Sequence, residues 1–243
     1  MLPKIDVPIY ELKLISSGKP VRFRPFLVKE QKLLLMASQS EDPKDALNVV
    51  KQISKNCVLD DIDIESLPVF DLEFIFLNLR ARSVNEVVNL QYKCNNKVKD
   101  ETGEEKVCTG LEKFEVNLLE ILPDKNPNHT KKIMLSDKLG IMMKYPTFEI
   151  VSNLKGQNES EILMELLISC VDNIFDNDQI YYTKDVSKEE LEEFIDNLQQ
   201  KDLEKIQQFF DTTPKIKKNL KFSCRKCGYK EDIVVEGLQN FFT

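Results

Sequence analysis

Apolar and polar residues alternate over Ile9-Tyr10-Glu11-Leu12-Lys13-Leu14-Ile15 and again over Val21-Arg22-Phe23-Arg24. Ser16-Ser17-Gly18-Lys19 supplies turn residues between them, so the pattern predicts an N-terminal β-hairpin closed by Pro25. The period then lengthens. Val28 to Ala37 is filled with strong helix formers (Lys29, Glu30, Gln31, Leu33, Leu34, Leu35, Met36) and holds no breaker. Asp42-Pro43 offers an N-cap and a first-turn proline for a second helix through Val58, whose apolar positions Ala46, Val49, Val50, Ile53 and Cys57 recur at helical spacing. In Leu67 to Leu79 the apolar residues fall at 69, 70, 72, 74, 75, 76, 77 and 79, which leaves no wet face. This predicts a buried helix with Pro68 near its first turn.

Alternation returns at Val87–Tyr92 and at Leu111–Leu118, two strands separated by a polar stretch between Cys94 and Cys108. The Pro/Asn-rich segment Pro123–His129 reads as a linker or long loop. Ile133-Met134-Leu135 and Ile141-Met142-Met143-Lys144-Tyr145 flank Ser136-Asp137-Lys138-Leu139-Gly140 as a further hairpin. From Pro146 the pattern becomes helical: Glu159–Val171, a helix to about Leu198 opened by the capping box of Ser187 and Glu190, and Lys201–Asp211. Ile216–Phe222 and Asp232–Val235 then read as two strands, followed by a short terminal helix over Leu238–Phe242.

The six cysteines divide into two kinds. Cys57 and Cys170 fall on or beside apolar helix faces and read as small buried hydrophobes. Cys94 ends one strand and Cys108 precedes the next, so a hairpin brings them together. Cys224-Arg225-Lys226-Cys227-Gly228 is a knuckle with a glycine that permits the sharp turn. Two such turns facing each other supply the four thiolates of a closed, structural zinc site, with no position left open for a catalytic water. The spacing of Cys94 and Cys108 is wider than an ordinary knuckle, and the Lys- and Glu-rich residues between them read as a hairpin tip projecting past the metal. Three rivals remain. A disulfide is disfavoured in the cytosol. A redox CxxC ordinarily opens a helix, whereas Gly228–Val235 continues as a strand. Unliganded free thiols are the third.

The fold class predicted is α+β: antiparallel β-hairpins stapled by a zinc-ribbon-like site of Cys94, Cys108, Cys224 and Cys227, with N-terminal helices and a central helical insertion. The expected organisation is an N-terminal hairpin and helices over 1–93 and a zinc hairpin with a β segment over 94–145. A helical insertion over 146–212 follows, then the CxxC hairpin and terminal helix over 213–243, packed as one unit with 87–120. The chain has 243 residues, 42% hydrophobic and 31% charged. A chain this long buries roughly 70% of its unfolded surface, so folding as such needs no staple.

Charge narrows the function further. A net charge of −7 opposes coating phosphate backbones. The single histidine, His129, excludes Ser-His-Asp and poly-histidine metal chemistry and reads as an exposed loop residue. The seven glycines form neither GxxxxGK nor GxGxxG. The acidic runs Asp60–Glu65 and Glu189–Asp196 border helices and read as solvated caps and faces. No apolar run is long enough to span a bilayer or form a signal core, and a cytosolic product is expected. From Lys184 to Asp211 nine acids face four lysines, and from Thr212 onward seven basic residues face three acids, a polarity suited to steering a partner. Leu238, Phe241 and Phe242 share one face of the terminal helix and are candidate partner-binding residues, either capping the protein's own sheet or docking into a neighbour.

The stretches Pro3-Lys4-Ile5-Asp6-Val7-Pro8-Ile9-Tyr10-Glu11-Leu12, Gly18-Lys19-Pro20-Val21-Arg22-Phe23-Arg24-Pro25-Phe26-Leu27-Val28-Lys29-Glu30, Phe70-Asp71-Leu72-Glu73-Phe74-Ile75-Phe76-Leu77-Asn78-Leu79-Arg80 and Leu135-Ser136-Asp137-Lys138-Leu139-Gly140 stand beside the ending from Cys224-Arg225-Lys226-Cys227-Gly228-Tyr229 through Leu238 to Phe242. Together they resemble the baseplate hub subunit family of T-even-type contractile-tailed bacteriophages. The resemblance implies a non-enzymatic part in virion assembly, with hub components in one branch and transient assembly factors, such as a tape-measure chaperone, in another. It implies tail, hub or tape-measure proteins as partners, a place in the virion tail after assembly in the host cytoplasm, and no catalytic residue. A thiol oxidoreductase using Cys224 and Cys227 is the alternative of another class, and a zinc-ribbon nucleic-acid binder is the third.

Overall fold

The computed structural model describes residues 6–37, 43–99 and 103–237. Strands β1 (Tyr10–Lys13) and β2 (Pro20–Phe23) pair antiparallel, with Leu12 opposite Val21 and Tyr10 opposite Phe23. Their turn uses Gly18 at φ +69°, a left-handed conformation that glycine adopts without Cβ strain. Helices α1 (Val28–Ala37), α2 (Pro43–Cys57) and α3 (Val69–Ser83) follow. Pro68 caps α3, which buries Phe70, Leu72, Ile75, Phe76, Leu77, Leu79 and Ala81, the helix without a wet face that its pattern predicts. Around it gather Val21 and Phe23 of β2 and Ile53 and Cys57 of α2 in the largest apolar core among the described residues.

Two buried acids in this region were not legible as such in the sequence. Asp71, in the first turn of α3, accepts hydrogen bonds from the backbone of Ile15 at 2.6 Å and of Ser16 at 3.2 Å, and from the Ser16 hydroxyl. Glu30 accepts the Leu27 N–H at 2.8 Å, closing the first turn of α1, and the Arg24 guanidinium at 3.1 Å. Burial alone would raise the Glu30 pKa, but Arg24 and the Leu27 N–H outweigh it and hold the carboxyl below its usual range.

The middle and end of the chain form two long hairpins. Strand β3 (Val87–Lys93) pairs with β6 (Leu111–Asn117), and β4 (Lys97–Lys99) with β5 (Glu105–Val107) extends that hairpin outward. The polar stretch between Cys94 and Cys108 is thus a projecting tip. Strands β11 (Lys217–Ser223) and β12 (Lys230–Glu236) form the second hairpin. Phe222 is buried against Tyr92, their rings 5.0 Å apart and edge-on.

A second core lies under a four-stranded antiparallel sheet in the order β10-β9-β8-β7. It comprises β7 (Lys132–Met134), β8 (Gly140–Met143), β9 (Val171–Phe175) and β10 (Ile180–Tyr182), with α4 (Phe148–Asn153), α5 (Glu159–Ser169), α6 (Lys188–Asp196) and α7 (Gln200–Thr212). The capping box of Ser187 and Glu190 is present.

Here the stretch read as a helical insertion differs from its prediction. Residues 146–212 contain β9 and β10, and β9 pairs with β8, so one sheet spans the expected boundary at 145/146. α5 stops at Ser169, with Cys170 as its cap, and Val171 begins a strand instead of ending the helix. Val171-Asp172-Asn173-Ile174-Phe175 is a five-residue run whose period does not separate helix from strand, and the neighbouring β8 decides it. The terminal helix expected over Leu238–Phe242, the Asp42 cap and the opening Met1–Ile5 lie outside the described residues.

A candidate four-cysteine metal centre

Cys94 follows β3 and Cys108 precedes β6, and backbone bonds hold the hairpin together across them. The Cys94 N–H reaches Gly110 O at 2.8 Å and the Cys108 N–H reaches Asn96 O at 2.7 Å. Cys224 and Cys227 occupy the β11–β12 turn, where Gly228 donates to Cys224 O at 2.9 Å and adopts φ +76°. The four sulfurs lie within 4.8 Å of one another, as the spacing predicts. The Cys94–Cys227 and Cys108–Cys224 sulfurs are each 3.7 Å apart, so both close pairs run between hairpins. A disulfide requires about 2.0 Å. A tetrahedral zinc with bonds of about 2.3 Å sets its sulfurs about 3.8 Å apart.

Backbone N–H groups at the cluster favour negatively charged sulfur, while burial opposes it. Backbone N–H groups of Asn96, Gly110 and Tyr229 point at the sulfurs of Cys94, Cys108 and Cys227, each two residues further along the chain. The Asn96 side-chain amide also lies 3.7 Å from the Cys227 sulfur. A Cβ on Gly110 would sit 2.4 Å from the Cys224 sulfur and 3.5 Å from that of Cys108, so only glycine lets the first hairpin approach this closely. The knuckles are also tied to each other outside the sulfur cluster. Glu112 accepts the Arg225 N–H at 2.9 Å and its guanidinium at 3.3 Å, and Lys226 donates to the Thr109 hydroxyl at 3.1 Å.

The thiols are not equivalent. Burial raises the Cys94 pKa above that of an ordinary thiol. For Cys108 the Gly110 N–H lowers the pKa, but burial and the neighbouring sulfurs win and the result is a rise. Cys227 goes the other way, lowered first of all by the Tyr229 N–H. Cys57 and Cys170 are fully buried in the two cores, and burial pushes their thiols up to about 11 and about 12 respectively. Both behave as the small hydrophobes expected. The acidic runs Asp60–Glu65 and Glu189–Asp196 are largely exposed or partly so, and Asp60 engages Arg22 at 2.7 Å.

His129 does not occupy the exposed position expected of it. It is partly buried between the cores, stacked on Tyr145 at 5.5 Å and tilted against Phe209 at 5.2 Å. Its ring nitrogens face Thr212 Oγ1 at 2.9 Å and Tyr145 Oη at 3.0 Å. Tyr145 in turn meets Phe70 edge-on at 4.9 Å, joining the larger core to the smaller. The Pro/Asn loop gave no periodicity from which this packing could be read.

Burial, aided by Lys131, lowers the His129 pKa below that of free imidazole. Its stabilising contribution is therefore complete above the unfolded value of about 6.5 and is lost as pH falls through the folded value. The melting temperature is expected to fall between pH 7.5 and 5.5. His129→Gln should flatten that part of the profile while retaining one hydrogen bond.

The fold and centre define an α+β protein in which a four-thiol cluster joins two hairpins from distant parts of the chain. The chain matches the family of the T4 bacteriophage base plate protein over residues 7–243 and belongs to it. It is a phage baseplate protein, and the family implies a place in the phage tail. Neither the comparison with curated proteins nor that with solved structures gave a match. Among the described residues no helix is long and apolar enough to cross a membrane.

Proposed function

We propose that this baseplate protein is a structural component of the tail hub, acting without catalysis through contacts with other hub or tape-measure proteins. The family match along nearly the whole chain carries this reading, and the similarity of the opening, middle and closing segments to hub subunits supports the finer assignment. Its structural cofactor is a zinc ion held by Cys94, Cys108, Cys224 and Cys227, supported by the 3.7 Å sulfur separations and by the three backbone N–H groups aimed at the cluster. All four donors being thiolates, the metal supplies a rigid cross-link between hairpins and no open coordination position. The hairpins of 87–120 and 213–237 then form one module that closes the chain's end onto its middle. Leu238, Phe241 and Phe242, beyond the described residues, are the proposed apolar anchor on a neighbouring subunit.

The test is quantification of the chain in purified virions and in baseplate intermediates. A hub component is expected in finished particles at a fixed ratio to other tail subunits. Presence in intermediates alone would overturn this in favour of a transient assembly factor or tape-measure chaperone. Alanine at Leu238, Phe241 and Phe242 together is expected to lower incorporation while leaving metal content unchanged.

A further inference from the structure

The four-stranded sheet has two edges, and they are finished differently. At β7 the Lys132 and Met134 side chains are exposed, but the Lys205 amine of α7 caps the edge by donating to the Met134 carbonyl at 2.9 Å. At β10 none of the three residues is covered, with Ile180 52%, Tyr181 40% and Tyr182 44% exposed. An open edge strand displays backbone donors and acceptors that pair readily with another strand, and proteins usually blunt it with charge, proline or a covering element.

The register fixes which groups are displayed. The β9–β10 turn is closed by the Asp176 N–H bonded to Gln179 O at 3.0 Å. Hydrogen-bonded and non-hydrogen-bonded pairs alternate along an antiparallel ladder. Tyr181, opposite Ile174, therefore turns its peptide groups inward, while those of Ile180 and Tyr182 point to the open side. An antiparallel second strand centred on Tyr181 would receive two reciprocal pairs, Ile180 with Tyr182 and Tyr182 with Ile180.

That strand is supplied by the chain itself. Pairing β10 with another β10 about a two-fold axis at Tyr181 sets each residue against the one equally far on the other side. Asp178, in the β9–β10 turn, and Lys184, in the 3-10 turn Thr183–Asp185, flank β10 at opposite ends, so Lys184, whose amine rests 5.4 Å from the Tyr182 ring, comes to the end that carries the other copy's Asp178. The axis repeats this Asp178–Lys184 pair, so the charges are self-complementary in this register. The two Tyr181 residues become a close non-hydrogen-bonded cross-strand pair of aromatic side chains. We propose that β10 is an isologous interface between two copies of this chain, joining their four-stranded sheets edge to edge in antiparallel register.

The test is sedimentation equilibrium of the full chain over a range of concentrations. A reversible monomer–dimer equilibrium is expected. Tyr182 has φ −76°, within the range of proline, and its N–H faces outward, so Tyr182→Pro removes the edge donor, together with the ring beneath Lys184, without breaking a β9–β10 hydrogen bond. Each hydrogen bond contributes roughly fivefold, and the axis repeats the loss, so the dissociation constant should rise about twenty-fivefold in this variant. Asp178→Lys or Lys184→Asp alone sets like charges opposite each other and should weaken the dimer, and the double exchange should restore it. A monomer at every concentration would overturn the proposal, as would a dimer indifferent to Tyr182→Pro. Failure of the charge exchange to restore pairing would overturn the two-fold register.

Discussion

Serine at any one of Cys94, Cys108, Cys224 or Cys227 is expected to remove stoichiometric zinc from the purified protein, whereas Cys57→Ser and Cys170→Ser keep it. The contrast follows from where the thiols sit. Four share one cluster within 4.8 Å, while Cys57 and Cys170 are each enclosed by apolar side chains of a different core. Loss of metal should be among the largest single-residue effects in this chain, more than about 4 kcal/mol. The cluster is not an appendage. The strands that carry it also contribute Val88, Leu90, Val116 and Val235 to the larger core, so loosening the knuckles exposes apolar surface well beyond them. A chelator is expected to lower the melting temperature of the wild-type protein and to leave the four ligand variants unchanged. Metal content measured on each variant, with thermal melts with and without chelator, is the check. A wild-type chain without metal, or metal that survives Cys94→Ser and Cys108→Ser, would refute the centre.

Gly110→Ala extends the same argument to a residue that donates no sulfur. Its new methyl group would meet the Cys224 sulfur at 2.4 Å, so the hairpins must separate by close to an ångström for both to fit. The CxxC pattern is legible because a knuckle is local: two thiols, a tight turn and a glycine lie within five residues. Cys94 and Cys108 were legible for another reason, since alternating strands on either side bring their ends together. Gly110 was not, because its role depends on a sulfur more than a hundred positions away.

The same distinction separates the elements that periodicity predicts from those it misses. The buried helix α3 advertises itself through eight apolar positions. Strand β9 carries only five residues, with Asp172 and Asn173 at its centre, and acquires its identity from pairing with β8 and β10. His129 was misplaced because a Pro/Asn loop predicts exposure, while Tyr145, Phe209 and Thr212 converge on it from other elements. Asp71 is the sharpest case. In the sequence it is one polar residue in a strongly apolar helix, and nothing local says whether it faces water or a partner.

Asp71→Ala is expected to cost about 1–3 kcal/mol, the range for leaving a buried hydrogen-bonding group unsatisfied. The carboxylate accepts from three donors of the β1–β2 turn, two of them main-chain N–H groups, and so fixes the hairpin onto the first turn of α3. The Ser16 hydroxyl can turn to solvent when the carboxylate is removed. The Ile15 N–H is buried and cannot. Burial raises the Asp71 pKa despite the opposing pull of Ser16 and Ile15, so the folded chain holds this proton to a higher pH than the unfolded one. That contribution is complete below the free aspartate value of about 3.9 and is lost as pH rises through the folded value. Asp71→Asn separates charge from hydrogen bonding. Its amide oxygen can accept both N–H groups and its amide nitrogen can donate to Ser16 Oγ, so stability near wild type is expected, without this component of the pH dependence. Denaturant melts of both variants at pH 5 and pH 7.5 provide the measurement. Equal losses in Asn and Ala would mean that the negative charge, and not the set of accepted hydrogen bonds, anchors the hairpin.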